Sequence, residues 1–238
     1  RGLGDVYKRQ VSAFGPFVTD FYLPALPVLA GYFDTTASLV QLSLTFSMVG
    51  LAVGQLVIGP LSDKYGRKKT LMASLVLFCI STIGCLYASD IYVFIFFRLL
   101  QGLSGAGGVV ISKSIATDLY EGRELTRFFS MLSSVQGIAP VCAPVLGGVL
   151  LEVTDWKGIF WILVLIGILL IMALAFFKES LNNEQQHCGV FATFRNYIPV
   201  FQNAQFMRYV LVQAFAMGVM FTSVSYTHLR AHETELHL

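Results

Sequence analysis

Charged side chains are scarce in this sequence: Asp, Glu, Lys and Arg together make up 13% of its 238 residues. A soluble domain carries about a quarter of its residues as charges to cover its surface. About half of that cover, with 55% hydrophobic residues and a mean hydropathy of +0.69, leaves most of the exterior unable to face water. Lipid is the remaining solvent. Cysteine is sparse too, and Cys79, Cys85, Cys142 and Cys188 show no CxxC or Cys/His spacing. Three lie in apolar runs and one in a polar stretch, which argues against a disulfide framework and a metal site. They read as small apolar packing residues. A net charge of +2 gives no footing for a nucleic-acid partner,, and no motif calls for a cofactor. The apolar segments hold almost no His, Glu or clustered Asp, so an integral-membrane enzyme lacks the nucleophile, base and orienting group it needs at one depth.

What is abundant is long apolar runs. A bilayer core about 30 Å thick needs roughly 20 apolar residues per helix. Such stretches fall near 11–32, 39–59, 71–88, 91–113, 128–150 and 157–177, and a seventh begins near Arg208 and breaks off at about Ser223. No ten-residue alternation of the barrel kind appears. The predicted fold is all-α and integral to the membrane: a six-helix N-terminal bundle over 11–177, a loop over 178–207, and a truncated seventh helix over 208–223. A long polar loop after six helices suits a junction between two bundles, so a C-terminal half is expected as the missing partner of this one. Phe191, Phe194, Tyr197 and Ile198 in that loop read equally well as a short helix on the membrane surface or as part of a tether.

The two ends stand apart. Residues 1–10 are polar and abut an apolar run without a cap, and 224–238 interrupt an apolar helix in mid-span. Both read as a non-native leader and tail and are excluded from the fold. The alternative for the tail is a metal-binding pair, His228 and His232, near Glu233 and His237; it lacks an evident second shell.

Positive charge sets the orientation. Lys64, Arg67, Lys68 and Lys69 lie in the 60–70 connection, Arg123 and Arg127 in 114–127, and Lys178 and Arg195 in 178–207. The other side holds only Lys157. The positive-inside rule puts the three longer connections, and the N-terminus, in the cytoplasm.

Three groups of residues carry possible chemistry. The turn Gly59-Pro60-Leu61-Ser62-Asp63-Lys64-Tyr65-Gly66-Arg67-Lys68-Lys69 sets Asp63 where it can pair with Arg67 or cap a helix. The cluster is either a latch on one state of a two-state molecule or simply a topology signal. Asp20 and Arg98 are ionisable residues inside apolar helices, where facing lipid costs several kcal/mol, so both should face the bundle interior. An acid whose basic partner changes with conformation is a proton switch; a static ion pair is the alternative. Prolines 24, 27, 140 and 144 should bend helices one and five. Gly50, Gly54, Gly102 and Gly105, and the ridge Ala139, Ala143 and Gly147, should let helices approach closely. Tyr22, Phe46, Met48, Phe97 and Met131 either line an adaptable pocket or pack against lipid.

The 59–68 loop resembles the signature loop of the major facilitator superfamily at Gly59, Leu61, Asp63, Lys64, Gly66, Arg67 and Lys68. Arg98, Gln101 and Gly102 resemble the Arg-x-x-Gln-Gly motif of its proton-coupled members. Ala143, Pro144, Gly147 and Gly148 resemble the helix-five motif of drug:proton antiporters, with Ala143 where Gly is usual. The runs at Asp20–Pro27, Asp118–Tyr120 and Trp156–Trp161 are similar to the bicyclomycin-resistance branch, although Thr117 replaces the usual Arg. The resemblance implies proton-coupled efflux of small amphipathic molecules across a bacterial inner membrane. Asp20, Arg98, Gln101 and Gly102 would then serve coupling, and the partners would be a small-molecule substrate, protons and the bilayer. An importer, or a half-carrier inactive alone, stays open.

Overall fold

The computed structural model describes residues 21–175, 197–216 and 218–219. Among these, every regular element is helical. A single 3₁₀ turn, Leu23–Ala25, leads into α1 (Leu26–Tyr32), followed by α2 (Ala37–Tyr65), α3 (Arg67–Leu86), α4 (Ile91–Leu119), α5 (Gly122–Val153) and α6 (Trp156–Ala175). A second unit contributes α7 (Tyr197–Gln202) and α8 (204–216). Helices are forced here, because in lipid every backbone N–H and C=O must find its partner within the protein. Four of them, α2, α3, α4 and α6, are long and apolar enough to cross a membrane by themselves, and α5 is so when its two limbs are joined.

The helices outrun the apolar stretches. α2 continues past Gly59 to Tyr65, α3 starts at Arg67, and α4 continues to Leu119, so the polar connections at 60–70 and 114–127 are mostly helix ends. Hydropathy registers where a helix meets lipid, whereas Asp, Lys and Arg at its wet end still favour helix. The true breaks are short. Gly66 stops α2 with φ +95°, a left-handed backbone that side chains with a Cβ resist,, and Gly122 (φ +53°) opens α5 after an extended Tyr120–Glu121. Thr36 caps α2 by accepting from the Leu39 N–H,. Asn203 separates α7 from α8, its Oδ1 accepting from the N–H groups of Gln205 and Phe206 at 3.1 and 3.2 Å.

Prolines act in two ways. In the first segment Pro24 and Pro27 occupy the opening turns of the 3₁₀ element and of α1, where a missing N–H costs nothing,. They start elements there rather than bend one continuous helix, as the sequence led us to expect. In α5 the axis turns by 41° between Gly122–Ala139 and Cys142–Val153, so helix five is bent as expected.

α4 is the centre of the first unit. Two-thirds (67%) of its membrane window is buried, against 28% for α2. Glycine makes the α2–α4 contact possible. A Cβ on Gly50 would lie 2.2 Å from the Leu99 carbonyl oxygen, one on Gly54 2.4 Å from that of Leu103, and one on Gly102 1.9 Å from that of Ser47. α3 packs between α4 and α6, with Ser74 against Gly107 and Cys79 against Gly167. Ala139, Ala143 and Gly147 are buried along α5, and Gly147 lies against the Phe21 carbonyl. Near the start of α4, Tyr22, Phe94, Trp156 and Phe160 form an edge-to-face aromatic cluster, with Phe33 tilted against Phe94.

Candidate functional site

Two polar clusters interrupt this apolar interior, and both are built on α4. The first surrounds Arg98, whose side chain is fully buried. Leaving that charge unpaired would cost several kcal/mol, and side chains meet it on two sides. Its Nη1 donates to Gln101 Oε1 one turn along α4. Gln101 Nε2 donates to Thr82 Oγ1 on α3 at 2.8 Å, and the Thr82 hydroxyl donates to the Phe78 carbonyl at 2.7 Å. The flat face of the guanidinium lies 3.9 Å from the centre of the Tyr22 ring, a desolvated cation–π contact worth about 2 kcal/mol. Tyr22 is held in turn by a 3.0 Å hydrogen bond between its hydroxyl and Ser43 Oγ, and Ser43 donates to the Val40 carbonyl at 2.6 Å.

One edge of the guanidinium is left over. Nε and Nη2, both buried, have no hydrogen-bond partner among the described residues, and Ser47 Oγ is in the same position. These two nitrogens form the fork that grips a carboxylate with two parallel hydrogen bonds. A buried fork of this kind asks for an acceptor. Asp20 lies outside the described residues, but Tyr22, only two positions further along the chain, is the residue that covers Arg98.

The second cluster joins the α2–α3 break to the far end of α4. Arg67 is buried; its Nη1 meets Asp63 Oδ1 at 2.5 Å and Ser62 Oγ at 2.6 Å, and its Nε meets Asp118 Oδ2 at 3.1 Å. Of the two roles open to Asp63, the pair with Arg67 is the one formed. Lys68 Nζ donates to the Ala175 carbonyl at 3.0 Å, at the last turn of α6, where a cation also suits the helix dipole. Gly59 accepts through its carbonyl from Ser62 Oγ at 2.8 Å, and Leu61 through its own from Thr70 Oγ1 at 3.4 Å. Gly66 supplies the left-handed joint. One arginine thus ties α2, α3 and α4 together. From Arg98 to Asp118 the rise along α4 is about 30 Å, so the clusters lie toward opposite faces of a bilayer.

The remaining candidates fall elsewhere. Gly102 faces the α2 backbone rather than the guanidinium, so packing explains it without chemistry. Pro144 is buried with Ala143 and Gly147, while Gly148 has open space where a Cβ would stand. Among the aromatic and Met candidates only Tyr22 joins the network; Phe46 and Met131 are exposed on this unit. His228, His232, Glu233 and His237 lie outside the described residues, as do Phe191 and Phe194. Reading the sequence did not single out Thr82, Ser43 or Ser62, and used Asp118 only as part of the branch resemblance, without a partner. Asp118 carried a usable signal, an acid at the wet end of an apolar helix facing a basic turn.

Long apolar helices closing over a fully buried arginine network are the construction of a multi-pass membrane transporter. The chain belongs to the Major Facilitator Superfamily, whose family model matches residues 11–238. It is 38% identical over 222 residues to the MFS-type transporter YdgK of Bacillus subtilis, a match covering 92% of this chain and 55% of that protein. To a bicyclomycin resistance protein homolog of Haemophilus influenzae it is 30% identical over 220 residues, covering 90% and 54%. A chloramphenicol resistance protein of Pseudomonas aeruginosa is 34% identical over 142 residues, covering 59% and 34%. The chain therefore spans about half the length of the first two of these relatives. A D-xylose–proton symporter structure superposes with a TM-score of 0.66 at 17% identity, covering 92% of this chain and 55% of the symporter. The human organic anion transporter MFSD10 gives 0.59 at 16%, covering 79% and 50%. These are transporters, not enzymes, and at such identities the structural likeness speaks to fold alone.

Proposed function

We propose that this chain is the N-terminal bundle of a carrier that exports small amphipathic molecules, drugs among them, in exchange for protons. The observation that carries the reading is the buried Arg98 with its Nε–Nη2 fork open, covered by Tyr22 just after Asp20. In the inward-open state Asp20 is ionised and paired with that fork, and substrate enters from the cytoplasm. The bundles rock, substrate leaves on the far side, and Asp20 takes up a proton, which resets the carrier. Proton and substrate therefore compete, each weakening the other by the same factor. The Arg67 cluster, with Gly59, Leu61, Asp63, Gly66 and Lys68, acts as a latch holding one state. The helix-five motif, from Ala143 to Gly148, supplies a sliding surface.

In this reading residues 11–177 form the bundle in a bacterial inner membrane, 208–223 begin the second bundle, and the N-terminus and the 178–207 loop are cytoplasmic. Relatives named for bicyclomycin and chloramphenicol resistance support export over import. The test is substrate accumulation in everted vesicles carrying a carrier of full family length with this half, with and without a collapsed pH gradient. Accumulation should vanish when the gradient is collapsed, and Asp20→Asn should abolish it with the gradient intact. Accumulation indifferent to the gradient removes the proton from the scheme.

A further inference from the structure

We propose that Thr82 is a positioning residue of the coupling site: it sets which way the Gln101 amide points, and through Gln101 it holds Arg98 with its carboxylate-binding edge open. The inference rests on reading Asp20 and Arg98 as the coupling pair, but the positioning itself follows from donor and acceptor counts.

A guanidinium has donors only, so Gln101 must turn its Oε1 toward Arg98, as it does. That choice sends the amide NH₂ the other way, into the interface with α3, where a buried donor needs an acceptor. Thr82 Oγ1 is that acceptor, at 2.8 Å. It is free to accept because its one proton is already committed to the Phe78 carbonyl at 2.7 Å. The chain therefore runs in one direction, from Arg98 to Gln101 to Thr82 to the α3 backbone. All three side chains are buried, so water cannot replace a missing member at little cost.

Without the hydroxyl, the amide has no reason to keep its orientation. Its NH₂ group is unsatisfied when Oε1 faces Arg98, and it opposes another donor when the amide flips. Arg98 then loses the acceptor that fixes Nη1, and the stacked ring of Tyr22 alone does not define the angle of the fork. Among the described residues, the Tyr22 hydroxyl is engaged by Ser43, so it does not stand in for the acceptor that Gln101 needs.

Two measurements on the full-length carrier test this. In the nitrogen-15 spectrum, the Arg98 signals are identified by their loss in Arg98→Lys. A held guanidinium gives separate Nη resonances, and a loosened one gives a single averaged resonance. Wild type and Thr82→Ser should show separate signals, and Thr82→Val the averaged one. Proton-driven export should fall about tenfold to a hundredfold in Thr82→Val and recover to near wild type in Thr82→Ser. Thr82→Ala serves where the valine variant does not accumulate. Separate Nη signals and unchanged export in the valine or alanine variant overturn the proposal, as does a serine variant that fails to recover. A wild type whose export ignores the pH gradient sinks the coupling reading instead, and the spectra then decide the positioning claim independently.

Discussion

Arg98 needs to be an arginine because it is used on three sides at once. One nitrogen is tied to Gln101, the flat face lies on Tyr22, and the opposite edge is presented as a fork. A lysine keeps the charge but has neither a plane to stack nor two parallel donors. Arg98→Lys should therefore cut proton-driven export by about tenfold to a hundredfold, the scale of one lost charge-assisted hydrogen bond. The check is the initial rate in everted vesicles at matched protein level; a lysine variant within twofold of wild type would show that charge alone matters. The importance of Arg98 was legible from sequence, because an ionisable group in an apolar run has few interpretations. Thr82 was not. A threonine in an apolar helix ordinarily bonds its own backbone, which Thr82 also does, and only the packing of α3 on α4 reveals its second role. Asp118 was hidden similarly, since its partner Arg67 stands 51 positions away.

Between elements, the separation of helices is decided by a few glycines, and not all glycines are equal. Gly102 and Gly105 lie one turn apart on α4, yet a Cβ at the first would collide with the Ser47 carbonyl at 1.9 Å and one at the second meets nothing within 4 Å. Backbone cannot step aside as a side chain can. Gly102→Ala should destabilise by about 1–3 kcal/mol through overpacking, whereas Gly105→Ala should be neutral or gain a few tenths, up to about 1 kcal/mol, from helix propensity. Melting temperatures of the two purified variants in one detergent check the contrast, and equal values would refute the α2–α4 contact. The small-residue pattern alone does not separate these two glycines as packing residues, because both fit it and only the neighbour's backbone tells them apart. The positions of the apolar runs near α2, α3, α4 and α6 were plain from hydropathy. The helix ends were not, because Lys64 and Asp118 look like loop residues to a hydropathy window while sitting comfortably in a helix.

At the scale of the whole molecule, the helix ends sort into two sets that differ in charge. The breaks at Gly66 and at Tyr120–Glu121 share one end of the bundle, since α2 and α4 run parallel, residues 50 and 54 against 99 and 103. That end carries Lys64, Arg67, Lys68, Lys69, Arg123 and Arg127, and the opposite end, at 33–36, 87–90 and 154–155, has Lys157 beside it. Arg67 is neutralised by two carboxylates, so it is the weakest of the set as a signal, yet removing it from the count leaves the asymmetry intact. Each lysine or arginine near the anionic cytoplasmic leaflet contributes about 1 kcal/mol toward staying there, and several together outweigh one on the far side. Glu121 and Thr154 sit at the two ends and are both exposed, which makes them suitable reporters. In intact cells, with the native cysteines replaced, Thr154→Cys should react with a membrane-impermeant thiol reagent, and Glu121→Cys should react only after permeabilisation. The reverse pattern would turn the bundle over, placing the Arg67 cluster outside and the Arg98 fork nearer the cytoplasm. An exchanger carries its two partners in opposite directions whichever way it is inserted, so an inward proton gradient would still drive export; what would fall is the assignment of the Arg67 cluster to the cytoplasmic face and of the Arg98 fork to the outer half of the membrane.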